Sequence, residues 1–239
     1  MLWLLWFVLG SCVGSFLNVC IYRMPREQSI VRPPSRCPKC ERPIAWFDNI
    51  PILSFVLLRA RCRHCRQPVS WRYPIVESLT GIATVTIFSR FGVTPVAMVY
   101  AAFVYGLIVC SVIDLEFQII PDEISVGGLV VGGGLLYLTG LLGDFIFRKE
   151  SMGGGDIKLL AMAGSVLGWK LVTLTFFIAP VFALIPGLFV LLLKRSHVIP
   201  YGPFLSIGLV VSLFVGPELL RMSGIEETIS LLVQYYFQR

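Results

Sequence analysis

The chain has 239 residues, of which 56% are hydrophobic and only 14% are charged, and its mean hydropathy is +0.81. A soluble domain carries about 25% charged residues, so this composition excludes an ordinary soluble protein and indicates one that crosses a membrane several times. The formal net charge of +6 is unevenly distributed along the sequence, and this bias carries information on topology.

The first 22 residues form one apolar run, because the first charged side chain is Arg23. The run lacks the basic start of a cleaved signal peptide and is longer than the apolar core of one. We therefore expect residues 1–22 to stay in place as the first transmembrane helix. Gly10 and Gly14 on this helix are four residues apart, which favours close helix packing. A polar stripe follows the same face through Ser11, Ser15, Asn18 and Tyr22. A substrate-lining role for Asn18 is the alternative to packing.

A basic loop follows the first helix. Residues 23–73 contain 11 basic side chains and three acidic ones, so their net charge of +8 exceeds that of the whole chain. The positive-inside rule places this loop in the cytoplasm and the N-terminus outside. The excess charge also suits contact with anionic headgroups, so membrane lipid is an expected partner. Apolar spans flank the loop and no nucleic-acid-binding module is visible, so we expect no nucleic acid.

Four cysteines of this loop form two C-x2-C pairs, CPKC and CRHC, which contain Cys37, Cys40, Cys62 and Cys65. Two such pairs complete a closed tetrahedral thiolate site of the structural type. A loop this short buries little core, so a bound Zn²⁺ would supply its folding energy. Disulfides are the alternative, although the cytoplasm is reducing, and His64 replacing one cysteine is another.

The rest of the chain, residues 74–239, predicts a membrane-embedded helical bundle. Runs of about 20 apolar residues are long enough to cross the hydrocarbon layer. They cover 75–91, 95–114, 124–147, 170–193 and 203–220, with a shorter helix over 157–168. The last segment, 224–239, could span the membrane or lie along its surface. The fold class is an all-α polytopic protein of seven or eight spans with a small zinc module, and no internal repeat is apparent.

Two carboxylates fall within or beside apolar segments. Asp114 follows more than a dozen uncharged residues, and Asp156 follows the glycines at 153–155, near the start of a helix. An ionisable residue within a membrane segment is functional by default. Two carboxylates that share one site can divide the tasks of holding a proton and activating water, as aspartic proteases do. A proton- or ion-coupled transporter is the alternative, although the zinc module and the scarcity of further acids in the spans argue against it.

Six segments resemble, in order, the motifs of the type IV prepilin peptidases, the bifunctional leader peptidase/N-methyltransferases of pilus and type II secretion systems. These are GSFLNVCIYRMP (14–25), RCPKCERPIAWFDNIPILSF (36–55), CRHCRQPVSWRYPIVE (62–77), IDLEFQIIPDEI (113–124), MGGGDIKLLA (152–161) and YGPFLSIG (201–208). Six motifs in one order are much more specific than any one of them.

The resemblance implies a bacterial inner-membrane enzyme whose zinc module and active site face the cytoplasm. Its two aspartates, which map onto Asp114 and Asp156, would remove the short basic leader of a prepilin or pseudopilin. It would then methylate the new N-terminal amine with S-adenosyl-L-methionine. The family's tetracysteine maps onto the four cysteines above. Glu77 is a weak candidate for the methyl-donor site, and a carboxylate that stabilises a helix N-terminus is the alternative.

The spacing of the motifs departs from the family in one place. Asp122 and Asp156 are 34 residues apart, which allows one full span where the family has two. Either the sequence lacks an internal segment, which we favour, or VGGLVVGGG makes a re-entrant turn. Because Arg148 and Lys149 favour the cytoplasm, we expect Asp114 and Asp156 to face each other near the cytoplasmic surface. Residues 124–147 should then form two helical pieces with a break near Gly132–Gly134.

Overall fold

The structure is a computed structural model that describes residues 2–119, 154–194 and 200–222. All regular elements in these ranges are helices, which confirms the predicted all-α class. The chain divides into two compact units, residues 1–121 and 122–239. Each unit is described by itself.

The first unit contains three long helices: α1 (Leu2–Arg23), α3 (Arg72–Phe91) and α4 (Pro95–Phe117). Helices α1 and α3 pack closely because glycines remove side chains from their interface. A Cβ atom added at Gly14 would lie 2.8 Å from Cα of Glu77, and one at Gly10 would meet Thr84. Close helix packing at Gly10 and Gly14 is therefore confirmed.

The turn between α3 and α4 follows from its sequence. Gly92 adopts φ +66°, which ends α3, and its N–H group donates to the carbonyl oxygen of Phe88 at 3.1 Å. Thr94 then accepts a hydrogen bond from the N–H group of Ala97 at 3.1 Å, and Pro95 occupies the first helical position. Both features favour the start of a helix.

The chain between α1 and α3 contains little regular structure. Its elements are 3₁₀ turns at Met24–Arg26 and Trp46–Asn49 and the five-residue helix α2 (Leu53–Leu57). The basic module thus stands between two membrane helices that contact each other, so both of its ends are fixed at the same side of the unit.

The second unit contains α5 (Gly154–Leu167), α6 (Trp169–Lys194) and α7 (Gly202–Met222). Thr175 on α6 donates to Oγ of Ser212 on α7 at 2.8 Å, and both side chains are buried. A Cβ atom added at Gly208 would lie 3.3 Å from Cβ of Ala179. Small residues and one polar bond therefore hold α6 and α7 together.

The predicted spans coincide with observed helices wherever the structure describes them. Among the described residues, three helices are long and apolar enough to cross a membrane: Leu2–Arg26, Pro95–Phe117 and Gly202–Met222. The segments 124–147 and 224–239, including the expected break at Gly132–Gly134, lie outside the described residues. The total of seven or eight spans remains a prediction.

Candidate functional site

The two cysteine pairs lie on backbone turns of the same design. In the first, the N–H group of Cys37 donates to the carbonyl oxygen of Arg42 at 3.0 Å. The N–H group of Glu41 donates to the carbonyl oxygen of Cys37 at 2.9 Å. In the second, the N–H group of Cys62 donates to the carbonyl oxygen of Gln67 at 2.9 Å, and the N–H group of Arg66 donates to the carbonyl oxygen of Cys62 at 3.0 Å. Glu41 and Arg66, each directly after the second cysteine of a pair, both have positive φ, at 56° and 55°. Each turn therefore points two sulfur atoms to one side.

The similarity of the turns reflects a short internal repeat that the sequence interpretation missed. RCPKCERPI (36–44) and RCRHCRQPV (61–69) share the pattern R-C-x-x-C-x-x-P followed by Ile or Val. Isolated antiparallel bridges join Arg36 to Pro43 and Arg61 to Pro68, at equivalent positions. The repeat is only nine residues long, which is why it was missed. Aligning the residues around the two cysteine pairs would have revealed it.

The four cysteine sulfur atoms converge on one point. They all lie within 4.8 Å of one another, and Sγ of Cys37 is 3.8 Å from Sγ of Cys65. A tetrahedral zinc ion with Zn–S bonds of about 2.3 Å separates its sulfur ligands by roughly 3.8 Å. The cluster therefore has the ligand set and approximate size of a structural Zn²⁺ site.

Two further features characterise the cluster. Backbone N–H groups of Cys65 and His64 hydrogen-bond to the Cys62 sulfur and lower the pKa of that thiol to about 7, which favours the thiolate that a metal needs. The ring of His64 lies elsewhere, with Nδ1 3.4 Å from Nη1 of Arg42. The geometry thus brings the four cysteines together and leaves His64 outside their cluster.

The module is attached to the membrane helices by charged side chains. Glu77 on α3 is 6% exposed, and its Oε2 accepts the N–H group of Ile52, directly before α2, at 2.7 Å. Arg72 on α3 donates to both carboxylate oxygens of Glu116 on α4 at 2.8 Å. Within the module, Arg63 forms a two-pronged ion pair with Asp48 at 2.7 and 2.6 Å. Glu77 therefore stabilises the N-terminus of a neighbouring helix.

A cavity of about 1270 Å³ lies between the ends of α1 and α3 that adjoin the cysteine module and the module itself. Its wall combines polar groups from α1 and α3 with rings and arginines from the loop. Among the residues that line it are Ser15, Asn18, Tyr22, Phe55, Tyr73 and Glu77. The volume is sufficient for a small organic molecule or the end of a peptide.

The two predicted catalytic carboxylates belong to different units. Asp114 lies in the last turn of α4 and is only 8% exposed. Asp156 lies in the first turn of α5, as predicted, where the helix dipole favours the ionised carboxylate. Tyr201, directly before α7, is close to Asp156: burial, and secondarily the Asp156 charge, raise the pKa of its phenol. The pairing of Asp114 with Asp156 remains a prediction.

Comparison with known proteins identifies the class. Residues 8–91 match the Bacterial Peptidase A24 N-terminal domain, and residues 95–188 match the Type IV leader peptidase family. The chain is 32% identical to a prepilin leader peptidase/N-methyltransferase of Stutzerimonas stutzeri, over 89% of this chain and 90% of the relative. The protein therefore belongs to the type IV leader peptidase family of membrane enzymes.

Further relatives have the same name. The enzyme of Legionella pneumophila is 31% identical over 92% of this chain and 94% of its own length. That of Myxococcus xanthus is 39% identical over 69% of this chain, and the match spans 56% of the relative. No solved structure matches the chain.

The alignments also bear on the spacing of the motifs. The Stutzerimonas alignment extends over 260 positions but contains 89% of a 239-residue chain, or about 213 residues, so about 47 positions have no counterpart here. A deficit of this size is consistent with a missing internal segment. Its location between Asp122 and Asp156 remains a prediction.

Proposed function

We propose that the protein is a bacterial inner-membrane enzyme that removes the leader of type IV prepilins or pseudopilins and N-methylates the new N-terminus. The match of both family domains, in order and over residues 8–188, is the observation that carries the proposal. The names of the relatives couple the two activities. No observation favours the alternative of an ion-coupled transporter.

For cleavage, we assign Asp114 and Asp156 to the aspartic dyad. One carboxylate, ionised, takes a proton from a water molecule as that water attacks the scissile carbonyl carbon. The other, protonated, donates a hydrogen bond to the carbonyl oxygen, and a proton then passes to the leaving amine. The helix dipole at the first turn of α5 favours the ionised form of Asp156. This position supports Asp156 as the base, which leaves the role of the acid to Asp114.

We assign Cys37, Cys40, Cys62 and Cys65 to one structural Zn²⁺ per chain. The site has four protein ligands and so leaves no open position for a substrate, which makes it a folding element. It would stabilise the module of residues 23–73, which lies between the first helix at 1–22 and the bundle at 74–239. Positive charge over 23–73 supports a cytoplasmic position beside anionic lipid.

For methylation, we assign the cavity of the first unit to the methyl donor, S-adenosyl-L-methionine, which supplies an electrophilic methyl group. The fit is supported by a buried acceptor in the cavity wall, Oδ1 of Asn18, that has no hydrogen-bond partner. Glu77 supplies an ionisable carboxyl group in the same wall, which can accept a hydrogen bond from a cationic donor molecule, and Tyr22 and Phe55 offer aromatic faces. These residues hold and orient the donor at the same side of the unit as the proposed cleavage site.

The aspartate assignment is tested by Asp114→Asn and Asp156→Asn in purified protein with a synthetic prepilin peptide. We expect each variant to lose cleavage by at least about 100-fold, because neither carboxylate can take the other's proton role. Both should still methylate a peptide supplied without its leader. Glu116→Gln, which removes an exposed carboxylate two residues from Asp114, is the matched control and should still cleave. Substantial cleavage by either aspartate variant would remove that residue from the dyad.

A further inference from the structure

The side-chain amide of Asn18 is held in one orientation. Its Nδ2 group donates to the carbonyl oxygens of Gly14 at 3.3 Å and Tyr73 at 3.2 Å. Turning the amide over would place its own oxygen against these two carbonyl oxygens, so the assignment of oxygen and nitrogen is fixed. Oδ1 must therefore face away from both helix backbones.

This oxygen is buried and lacks a partner. Asn18 is 1% exposed, and Oδ1 has no hydrogen-bond donor. A buried acceptor without a donor is costly, and few occur in folded proteins. Asn18 lines the cavity between α1, α3 and the cysteine module. A molecule that enters the cavity with a hydrogen-bond donor would remove the cost.

The groups beside Asn18 define the charge of that molecule. Glu77 lies one helical turn after Tyr73 on α3 and lines the same cavity. Its carboxylate accepts a hydrogen bond from the Ile52 N–H group, and the Ser15 side chain lines the same cavity. A carboxylate has about four acceptor sites, so it retains capacity for a ligand. An uncompensated amide oxygen beside an ionisable carboxyl suits a donor that carries positive charge.

We propose that Asn18, Ser15 and Glu77 form a subsite for a primary ammonium group at the inner wall of the cavity. This inference rests on the proposed function, because both reactants of N-methylation present such a group. One is the ammonium of the methionine portion of S-adenosyl-L-methionine. The other is the new N-terminus of the cleaved pilin. The same three residues would recognise either, and the two sources are separated by experiment.

The first measurement uses the wild-type protein in nanodiscs and titration calorimetry. S-adenosyl-L-methionine is compared with its des-amino analogue, and a cleaved pilin peptide with the same peptide N-acetylated. We expect about a 10- to 100-fold loss of affinity in whichever pair contains the recognised ammonium, the range for a charge-assisted hydrogen bond. Equal affinities within both pairs would overturn the proposal, without reliance on any variant.

The second measurement uses Glu77→Gln, whose amide oxygen can still accept the Ile52 N–H group, and Asn18→Leu. If the donor molecule is recognised, both variants bind S-adenosyl-L-methionine at least 10-fold more weakly and the des-amino analogue unchanged. If the peptide is recognised, the loss appears with the free-amine peptide alone. Glu27→Gln, an exposed acid outside the cavity lining, is the matched control and should bind both as wild type does.

Folding and function are controlled separately. A zinc content and a circular dichroism spectrum that match those of wild type show that the first unit is folded in the variants. Variants that fold as wild type does and bind both ligands with unchanged affinity would overturn the subsite. Wild-type protein that binds the ligands but neither cleaves nor methylates would instead refute the proposed function.

Discussion

Ile52 adopts φ +61°, a conformation that β-branched residues rarely accept. Such a backbone conformation costs about 1–3 kcal/mol and persists only where its surroundings enforce it. Here the Glu77 carboxylate accepts the Ile52 N–H group at 2.7 Å. A residue of the cysteine module is thus held in place by a side chain of the cavity wall. This contact joins residues 25 positions apart in the sequence, so periodicity and motif spacing could not predict it.

Arg66 offers a test of the cysteine turns at single-residue resolution. Its φ of 55° is left-handed, which glycine adopts freely and a β-branched residue resists by about 1–2 kcal/mol. We expect Arg66→Gly to keep the metal site and Arg66→Val to weaken it, although both remove the same charge. The rate of zinc transfer to a chelator should rise about five- to tenfold in Arg66→Val alone. Equal rates would show that the turn does not require this conformation.

At the scale of elements, the apolar pattern predicted each described long helix, including the end of α3 at Phe91 and the start of α4 at Pro95, but not the ends that continue into polar sequence. Helix α3 begins at Arg72, before the predicted apolar start at 75, and α4 continues to Phe117, beyond Asp114. Apolar runs mark the part of a helix inside the hydrocarbon, whereas backbone hydrogen bonding continues into polar sequence. Helix α4 ends where Gln118 adopts a left-handed conformation and its N–H group donates to the backbone carbonyl oxygen of Asp114. The ends therefore depend on local caps.

The parts of the candidate site that depend on local sequence were predictable, whereas the parts that depend on tertiary contacts were not. The tetracysteine cluster follows from spacing, because each pair is a local turn that needs only short-range geometry. The partnership of Asn18 with Tyr73, and of Glu77 with Ile52, depends on how α1 and α3 pack. Tertiary contacts of this kind leave no periodic signal in one sequence.

Loss of the metal should affect the whole cysteine module. We expect Cys37→Ser or Cys62→Ser to release the zinc and make residues 23–73 sensitive to protease, since the metal supplies folding energy. Both activities should fall, with methylation more affected than cleavage because the module lines the cavity. We expect metal analysis to give one zinc ion per wild-type chain. Carefully reduced protein without zinc would contradict it.

The same module should bind zinc in a pH-dependent manner. Backbone hydrogen bonds lower the pKa of Cys62 to about 7, so this thiol is largely ionised at pH 8 and becomes protonated as the pH falls below 7. Protons then compete with the metal, so zinc affinity should fall with decreasing pH. Competition with a chelator between pH 8 and pH 6 measures this. An affinity that stays constant or rises over that range would exclude thiolate ligation.

Helix α2 should contact the membrane surface. Val56 and Leu57 are 64% and 70% exposed, and Trp71 is 69% exposed. Together with Ile75 and Leu79 of α3 they extend an exposed apolar surface from the membrane helix onto the module. In a variant that retains Trp71 as its only tryptophan, we expect brominated lipids to quench the fluorescence strongly and acrylamide to quench it weakly. The reverse pattern would place this surface in water.

At the scale of the whole molecule, the proposed cleavage requires one carboxylate from each unit to act on the same peptide. The positive charge of residues 23–73 and the apolar spans that follow predict a cytoplasmic position for Asp114. The basic pair Arg148-Lys149 argues the same for Asp156. A leader can be cleaved only if both carboxylates reach the same scissile bond. The same-side arrangement is thus a requirement of the mechanism.

One measurement tests this central claim most directly: mass spectrometry of a prepilin peptide incubated with the purified wild-type protein. We predict loss of the leader without S-adenosyl-L-methionine, and then a gain of one methyl group on the mature fragment when it is added. An intact peptide after prolonged incubation with folded, zinc-loaded protein would contradict the peptidase and the dyad on which it rests.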